Sequence, residues 1–401
     1  MTTTSTHPSA TAPRSPADAA ASPGGQRFPA LDGLRMVGAL AVVTTHVGFS
    51  SGASLNTPVA GLLARLDAGV PLFFVISGFL LYRPHALARL ERTPRPASGR
   101  YFRHRALRIL PALWLAVILS AVLLQHRPDV TAGDFLRIAT LTQTYTPGPS
   151  IAGLTQMWSL ATEAAFYLVL PVLAWGLARL PGRARRWSAW TMLALVGFVA
   201  VSAAWVAWVA GSGGGVRGVW LPAHLGWFAI GMALAAWNVA RAHGARGPGL
   251  LDQLAAAPGT VYAAAGALYL LVATPIAGPF GLSESTVLQA VVKNVGYGLL
   301  GGLLVLPAVA PQPSGSRLVQ LLGGRSGRAL GDISYGVFCY HLIALGLVEK
   351  AIGHQTFTGH FAQLWLGTVA IVVPVAWVSY RFFERPIIRR GRRSERVRAQ
   401  A

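Results

Sequence analysis

Charged residues and cysteine are both scarce in this sequence. Only 12% of its 401 residues are charged and 53% are hydrophobic, whereas soluble domains carry roughly 25% charged residues. This composition excludes an ordinary soluble protein and indicates a chain that crosses a membrane several times. The single cysteine, Cys339, excludes an intrachain disulfide and a cysteine metal cluster. We expect it to pack inertly in an apolar run, and we expect no metal site.

Acidic residues are also few. The chain has 13 Asp and Glu against 34 Lys and Arg, which gives a formal net charge of +21. Such a charge could indicate nucleic-acid binding. However, nearly all the arginines lie in short segments between apolar runs, as the positive-inside rule describes for membrane proteins. We therefore expect no nucleic-acid partner.

The N-terminal segment lacks large apolar side chains. Residues 1–27 are rich in Thr, Ser, Pro and Ala and cannot bury a core, which predicts a disordered tail. They also lack the continuous apolar region of a signal peptide, so no cleavage is expected. No internal repeat is evident in the rest of the chain, and no segment is left for a sizeable soluble domain.

Apolar segments fill most of the remaining chain, and about ten are long enough, or nearly so, to span a bilayer of roughly 30 Å. Their approximate limits are 31–50, 69–83, 106–124, 156–177, 188–210, 219–237, 258–277, 286–309, 330–351 and 363–383. The arginine-rich loops are 84–105, 178–187, 238–257, 310–329 and the tail after 384. They alternate with loops that carry little or no Lys or Arg, which places both termini in the cytoplasm.

The predicted fold is therefore all-α, a polytopic bundle of about ten helices in the cell membrane. We expect it to occupy residues 28–390, between tails at 1–27 and 391–401. The second segment is short and contains Pro71 and Gly78. It could be a broken or re-entrant stretch that lines a cavity, or a tightly packed helix. The seventh segment carries Pro275 and is equally irregular.

The first segment, LDGLRMVGALAVVTTHVGFS, holds two ionisable residues in an otherwise apolar or small run. Arg35 and His46 are about eleven residues apart, so on a helix they share one face and lie roughly 16 Å apart along the axis. Ionisable groups at such depth are costly and suggest a functional site. The alternative for His46 is a histidine that hydrogen-bonds between helices.

Glu163 is the only carboxylate deep in any predicted span, and it lies at about the depth of His46. A carboxylate beside an imidazole would orient the ring and favour proton acceptance. Ser159 and Tyr167 share the helix face of Glu163, because the three residues recur every four positions. Lys293 is a rival partner for Glu163, although a lysine that snorkels to the outer interface is the favoured interpretation.

Two other helices carry candidate site residues. Arg105 and Arg108 lie one turn apart at the predicted cytoplasmic start of the third span, where a helix N-terminus suits phosphates. The alternative is a plain positive-inside flank. The ninth segment contains ISYGVFCYHLI. Its Ser334, Tyr335 and His341 are candidates for a cavity lining, again with an interhelical histidine as the alternative.

Five motifs occur in the order and spacing of the acyltransferase 3 family of integral membrane acyltransferases. They are DGLR with His46 downstream, FFVISGFLL, RALRILP, MWSLATEAAFY and ISYGVFCYH. The chain resembles this family over about residues 28–390. One departure is Phe338, where a tyrosine is common. Many relatives carry an extracytoplasmic hydrolase-like domain after the bundle, which we do not expect here.

The resemblance implies a ten-helix bundle that moves acyl groups, often acetyl, from cytoplasmic acyl-CoA to hydroxyl groups. The acceptors implied are cell-surface polysaccharides, lipid-linked sugars or, in some members, macrolide antibiotics. Residue by residue, the resemblance implies that Arg35 and His46 form the family's arginine-and-histidine motif. Arg105 and Arg108 then match its paired arginines, proposed to contact CoA, and Glu163 matches the acid of its Trp-Ser-Leu-x-x-Glu motif. The second-helix motif is matched by Phe73, Ser77 and Gly78.

The mechanism that this resemblance implies uses acyl-CoA as a substrate and no bound cofactor. Arg105, Arg108 and Arg35 hold the phosphates, and His46, oriented by Glu163, acts on the acceptor. The histidine either deprotonates the hydroxyl or first receives the acyl group. The sequence leaves these routes open, together with the acceptor, the acyl chain length and the oligomeric state.

A protein of another class would fit some of the same residues. A proton-coupled transporter also places His, Glu and Arg at mid-membrane depth. The absence of a detectable repeat and the presence of five ordered motifs favour the enzyme. An inactive structural scaffold fits poorly with so many intramembrane ionisable groups.

Overall fold

Helices form all the regular structure of the part of the chain that the structure describes. The computed structural model describes residues 26–124, 128–245, 249–281, 283–311 and 315–391. Its α-helices, in chain order, are α1 Ala30–Ser51, α2 Ala53–Asn56, α3 Ala60–Ala64, α4 Gly69–Glu91, α5 Ser98–Leu123, α6 Ala132–Ala139, α7 Met157–Ala178, α8 Ala184–Gly211, α9 Leu221–Ala242, α10 Gly249–Ala256, α11 Pro258–Val272, α12 Val287–Val305, α13 Arg317–Leu322, α14 Arg325–Ile352 and α15 Phe361–Val378. A π-helical turn, Ser379–Glu384, continues α15.

The predicted all-α fold is confirmed, and so is the number of spans. Within the described residues, nine helical stretches are long and apolar enough to cross a membrane. A tenth span results if α10 and α11, which meet at a bend of 98°, are counted together. The chain is therefore a multi-pass membrane protein. The cytoplasmic position of both termini stays a prediction, and the predicted tails fall outside the described residues except for Gln26, Arg27 and Gly391.

The second span is longer than the sequence predicted. Helix α4 runs without a break from Gly69 to Glu91, and α3 and a 3₁₀ turn extend it to a helical stretch of 32 residues from Ala60. The prediction stopped at residue 83 because it assigned 84–105 to an arginine-rich loop. The structure compensates the cost of Arg83 inside the helix, because the Arg83 Nε donates to the Asn238 side-chain oxygen at 2.9 Å. The guanidinium also lies 5.0 Å from the centre of the Phe28 ring.

The seventh span ends earlier than predicted. Helix α11 stops at Val272, and a 3₁₀ turn at Pro275–Ala277 follows, with the Thr274 hydroxyl accepting a hydrogen bond from the backbone N–H of Ile276. Proline cannot supply the backbone N–H that a continuing helix needs, so the chain turns there. The remaining length of this seventh span comes from α10, on the other side of the bend.

Helices α4 and α9 approach each other closely along a glycine contact. A Cβ on Gly78 would lie 2.2 Å from the Phe228 carbonyl oxygen, and a Cβ on Gly231 would lie 2.0 Å from the Val75 carbonyl oxygen. Only glycine allows the two backbones to meet in this way. Of the two interpretations of the segment around Gly78, the structure therefore supports the tightly packed helix.

We expect the Gly78→Val substitution to destabilise the bundle, because its side chain would meet the backbone of α9, which cannot yield as a flexible side chain would. Overpacking of this kind costs about 1–3 kcal/mol, occasionally more. The measurement is thermal unfolding of the purified variant in detergent. Gly176→Val is the matched control, since Gly176 also lies within a helix and has nothing within 4 Å of its Cβ position. Equal melting temperatures for the two variants would contradict the prediction.

Two neighbouring helices, α14 and α4, pack against α1, which carries the ionisable residues Arg35 and His46. Helix α1 packs most extensively against α14 and next against α4, whereas α7 packs mainly against α4 and α9. Gly331 of α14 permits a close approach, because a Cβ there would lie 2.5 Å from the Asp32 carbonyl oxygen. The polar residues of α1 are therefore presented to α14 and α4 rather than mainly to α7.

Candidate active site

A narrow cavity lies among helices α1, α4, α5, α7 and α14. Its volume is about 70 Å³, and we call it the narrow cavity. Its lining residues are Arg35, Val70, Phe73, Phe74, Ser77, Arg105, Arg108, Ile109, Ser159, Leu160, Glu163, Tyr167, Ser334, Tyr335 and Phe338. Three arginines and one carboxylate thus share a small, otherwise mostly apolar space. This excess of positive charge suits an anionic ligand.

The polar groups of the narrow cavity are only partly satisfied by one another. The Ser77 hydroxyl donates a hydrogen bond to the Glu163 carboxylate, and Arg35 is near enough to interact with the charge of Glu163. The Arg105 guanidinium lies 5.9 Å from the centre of the Tyr167 ring. Its Nε is buried and has no hydrogen-bond partner among the described residues. A buried guanidinium donor left open in this way is available to a ligand.

Two lining residues mainly stabilise the walls. The Tyr335 hydroxyl donates to the Ile109 carbonyl oxygen at 2.9 Å, which joins α14 to α5. The Ser159 hydroxyl donates to the Gln156 carbonyl oxygen at 3.1 Å, within the first turn of α7. Their hydrogen atoms are therefore committed to the protein, and these residues shape the cavity more than they contact a reacting group.

A second, wider cavity of about 320 Å³ adjoins the first and shares Arg35, Arg108 and Tyr335 with it. We call it the wide cavity. Its other lining residues are Asp32, Gly331, Asp332, Tyr380, Glu384, Arg385, Ile388 and Arg389. They lie at the start of α1 and α14 and after the end of α15, the side of the bundle that the basic loops predict to be cytoplasmic. A ligand could therefore extend from the wide cavity into the narrow one.

His46 forms a pair with His341. Their ring centres are 5.0 Å apart, and the His341 Nε2 lies 3.3 Å from the His46 Nδ1. The His46 Nδ1 lies 2.8 Å from the Val42 carbonyl oxygen, and the His341 Nδ1 lies 2.7 Å from the Phe338 carbonyl oxygen. His46 is half-buried and His341 is buried.

These contacts define where the protons of the two neutral rings lie. A carbonyl oxygen can only accept, so both Nδ1 atoms must carry hydrogen. The His46 Nδ1–H is then shared between the Val42 carbonyl oxygen and the His341 Nε2. The Nε2 of His46 is left with a free lone pair, the atom that a general base needs. This assignment of tautomers follows from the hydrogen-bond geometry.

The structure gives His46 and Glu163 different partners from those predicted. Within the described residues, the carboxylate is hydrogen-bonded to Ser77 and the imidazole to His341. The hypothesis that Glu163 orients His46 is therefore replaced by one in which His341 orients it. Similar depth along two helices was the basis of the prediction, and depth does not specify which side of a helix meets which neighbour.

Two aromatic rings of the narrow cavity pack against each other, and one of them also packs against the histidine pair. Phe73 and Phe338 both line the cavity, and their ring centres are 5.9 Å apart in an edge-to-face arrangement. The Phe338 ring is also 5.9 Å from that of His341. Neither His46 nor His341 is among the lining residues of the narrow cavity, so His341 does not occupy the lining position considered for it.

An ionic cluster that the sequence did not reveal lies close to His46. The Lys293 Nζ is 2.8 Å from an Asp67 carboxylate oxygen, and the Tyr297 hydroxyl donates to the same carboxylate. Lys293 is thus the partner of Asp67 rather than of Glu163, and Asp67 is near enough for its charge to act on His46. The prediction missed Asp67 because it began the second span at residue 69. An Asp immediately before an apolar run was the available signal.

Metal ligation receives no support from this arrangement. Among the described residues, no group of three or more His, Cys, Asp or Glu side chains could hold a metal ion. The groups that the site offers are instead three guanidinium ions for an anion, a base at the His46 Nε2, and apolar walls. Together they could bind an anionic donor and accept a proton from a hydroxyl group.

Comparison with known proteins defines the class of the chain. Residues 28–382 match the model of the acyltransferase 3 family, which is described as an acyltransferase domain. The chain therefore belongs to the acyltransferase 3 family. No solved structure matches it.

Several curated proteins are similar to it. The putative peptidoglycan O-acetyltransferase YrhL of Bacillus subtilis is 28% identical over 402 residues, which cover 92% of this chain and 56% of that protein. The exopolysaccharide production protein ExoZ of Rhizobium meliloti is 26% identical over 81% of this chain and 90% of its own length. The acyltransferase MdmB of Streptomyces mycarofaciens is 28% identical over 174 residues, 41% of this chain and 43% of that protein. The chain thus spans about half the length of YrhL and of MdmB.

Proposed function

We propose that the protein is an O-acyltransferase of the plasma membrane that moves an acyl group, acetyl by preference, from acyl-CoA to a hydroxyl of a carbohydrate or cell-envelope glycan. The observation that carries this proposal is the pairing of an arginine-lined cavity with a neighbouring histidine whose Nε2 is free. The names of YrhL and ExoZ support a glycan acceptor, and the family supports acyl transfer.

The donor binds through its phosphates in this proposal. The wide cavity has the room for a large polar group, and it shares Arg35 and Arg108 with the narrow cavity. Guanidinium groups bind phosphate oxygens with two parallel hydrogen bonds, and they are more effective there than a single ammonium. The open Nε of Arg105 supplies a further buried donor. The thioester then points into the narrow cavity, toward Phe73 and Phe338.

The transfer step needs one base. The acceptor hydroxyl gives its proton to the His46 Nε2 while its oxygen bonds to the thioester carbonyl carbon. The carbon–sulfur bond then breaks, and the CoA thiolate takes the proton from the imidazolium. His341 holds the ring through the His46 Nδ1–H, so that the Nε2 faces the acceptor. A route through an acyl-histidine uses the same nitrogen as the nucleophile.

A secondary metabolite such as a macrolide is the alternative acceptor, and a proton-coupled transporter is the alternative of another class. The deciding experiment compares glycans and small metabolites of cells with and without the gene by mass spectrometry. The proposal expects an acyl mass that is present on a glycan only when the gene is present. An acylated small metabolite would favour the alternative acceptor. Movement of an acceptor across vesicles without acylation would favour transport.

We expect Arg105→Ala to weaken the binding of the donor more than it slows the transfer. Loss of a charge-assisted hydrogen bond corresponds to about a tenfold to hundredfold increase in the Kd of acetyl-CoA, with a parallel rise in KM. The measurement is equilibrium binding of acetyl-CoA to the purified protein. Arg100→Ala is the control, since Arg100 lies on the same helix and is exposed. An unchanged Kd in Arg105→Ala would contradict the phosphate role.

A further inference from the structure

We propose that Phe73 and Phe338 determine the length of the acyl group that the protein transfers. The two rings close the narrow cavity where it approaches the histidine pair, so that only a short acyl chain fits against them. This inference rests on the proposed function, because it assumes an acyl-CoA donor. It deepens that function by naming the side chains that set the length of the acyl group.

Phe338 connects the cavity wall to the proposed base. Its ring lines the narrow cavity, while its backbone carbonyl oxygen accepts the hydrogen bond of the His341 Nδ1 at 2.7 Å. His341 in turn contacts His46. These contacts link the cavity wall, Phe338, His341 and His46 in series. In this proposal, a thioester whose carbonyl is held near the histidine pair places its acyl chain against the Phe338 ring.

Phe73, on α4, packs between Phe338 and α1 in this part of the cavity wall. A Cβ on Gly38 would lie 3.5 Å from the edge of the Phe73 ring, so the ring rests in the notch that this glycine leaves. Along α1, Gly38 is three residues after Arg35 and eight before His46. The ring therefore contacts α1 between its cation and its imidazole.

The backbones around Phe73 leave it little freedom to withdraw. A Cβ on Gly69 would lie 2.3 Å from the Gly38 carbonyl oxygen, so α1 and α4 are already in close contact one turn before Phe73. Phe73 is half-buried and Phe338 is buried. Because packed interiors do not deform continuously, an extra methylene group must displace a ring rather than slide past it.

The remaining walls suit a short hydrocarbon chain. Val70, Phe74 and Leu160 line the same cavity and are apolar. The narrow cavity holds only about 70 Å³, against about 320 Å³ for the wide cavity. In an apolar pocket, one methylene group too many or too few changes selectivity on the order of tenfold or more. The geometry therefore favours acetyl over butyryl and hexanoyl groups.

The test measures how acyl-CoA binding depends on chain length. The Kd values of acetyl-CoA, butyryl-CoA and hexanoyl-CoA are determined for the purified full chain and for Phe338→Ala and Phe73→Ala. We expect the ratio of the hexanoyl-CoA to the acetyl-CoA Kd to fall on the order of tenfold or more in each alanine variant. Phe338→Tyr keeps the ring and should keep the ratio of the unmodified protein. Phe338→Leu should lower the ratio by less than Phe338→Ala, and it serves if the alanine variants fail to accumulate.

Phe166→Ala is the matched control, because Phe166 is a buried ring stacked on Phe228 that does not line the cavity. It should leave the ratio unchanged even where it lowers stability. An unchanged ratio in Phe338→Ala, Phe338→Leu and Phe73→Ala, with acetyl-CoA still bound, overturns the inference and leaves the proposed function intact. Failure of the unmodified protein to bind any acyl-CoA overturns both.

Discussion

The His46→Ala variant will accumulate in the membrane and fold, but it will lose acyl transfer by a factor of roughly 10²–10⁴, the usual contribution of a general base. The reason is specific to one atom. The Nδ1–H of His46 is held by the Val42 carbonyl oxygen and by His341, which leaves the Nε2 free to take the proton of the acceptor. The measurement is the rate of acyl transfer by purified protein, beside thermal unfolding and donor binding.

His243→Ala provides the matched control for this variant. His243 makes the same kind of bond along its helix, from its Nδ1 to the Val239 carbonyl oxygen at 2.9 Å. It lies just after the end of α9 and pairs with Glu91 there, away from the cavity. We expect it to retain transfer. If purified His46→Ala turned over at the rate of His243→Ala, neither a general base nor an acyl-histidine at position 46 would be tenable.

Arg65→Ala will cause the largest loss of stability that we expect from a single substitution. Arg65 is only 3% exposed, and its guanidinium donates to four carbonyl oxygens. These oxygens belong to Val272 at 3.1 Å, Ala277 at 3.0 Å, Gly278 at 2.5 Å and Pro279 at 3.2 Å.

The substitution removes every one of these bonds, which hold the last residue of α11 and the turn after it. Val272, Ala277 and Gly278 are buried, so their carbonyl oxygens cannot turn to water. Each buried acceptor left without a donor costs about 1–3 kcal/mol, and three of them together cost about 3 kcal/mol or more. The measurement is thermal unfolding in detergent, together with the yield of folded protein.

Two other variants test the explanation for Arg65. Arg65→Lys keeps the charge, but an ammonium group cannot reach four acceptors in a fixed fan, so its stability should be intermediate. Arg217→Ala removes an exposed arginine whose guanidinium lies 5.2 Å from the Trp208 ring, and it should cost little. A melting temperature for Arg65→Ala equal to that of Arg217→Ala would refute the carbonyl network as a major source of stability.

Hydropathy and charge predicted the helical class and nearly all the spans, because an apolar run of about twenty residues has few alternatives in a membrane. They placed the end of the second span too early, because the arginines after residue 83 read as a loop, whereas α4 continues to Glu91. The partner of Arg83 is Asn238, 155 residues further along the chain, and no local pattern contains that information. Pro275 indicated an irregularity near the end of α11, but nothing in the sequence analysis predicted the bend between α10 and α11.

The sequence predicted which residues belong to the candidate site better than it predicted which of them contact each other. Arg35 and Glu163 were selected for the cost of an ionisable group in a membrane, and both line the narrow cavity. Arg105 and Arg108 were selected for a helix N-terminus; they line the cavity too, although α5 begins earlier, at Ser98. The pairing of His46 with His341 joins residues 295 positions apart. It depends on how α1 is rotated against α14, which depth along the helix does not fix. Their roles in catalysis stay predictions until the variants are measured.

Arg35 and Arg108 line both the narrow and the wide cavity. Because the two cavities share these charges, binding in one is coupled to binding in the other. An anion that binds in the wide cavity neutralises part of the positive charge that faces Glu163 in the narrow one. By reciprocity, a ligand in the narrow cavity changes the affinity of the wide cavity for that anion by the same factor by which the anion changes the affinity for that ligand. Binding of phosphates in the wide cavity is therefore coupled to the electrostatic potential in the narrow cavity, where the transfer is proposed to occur.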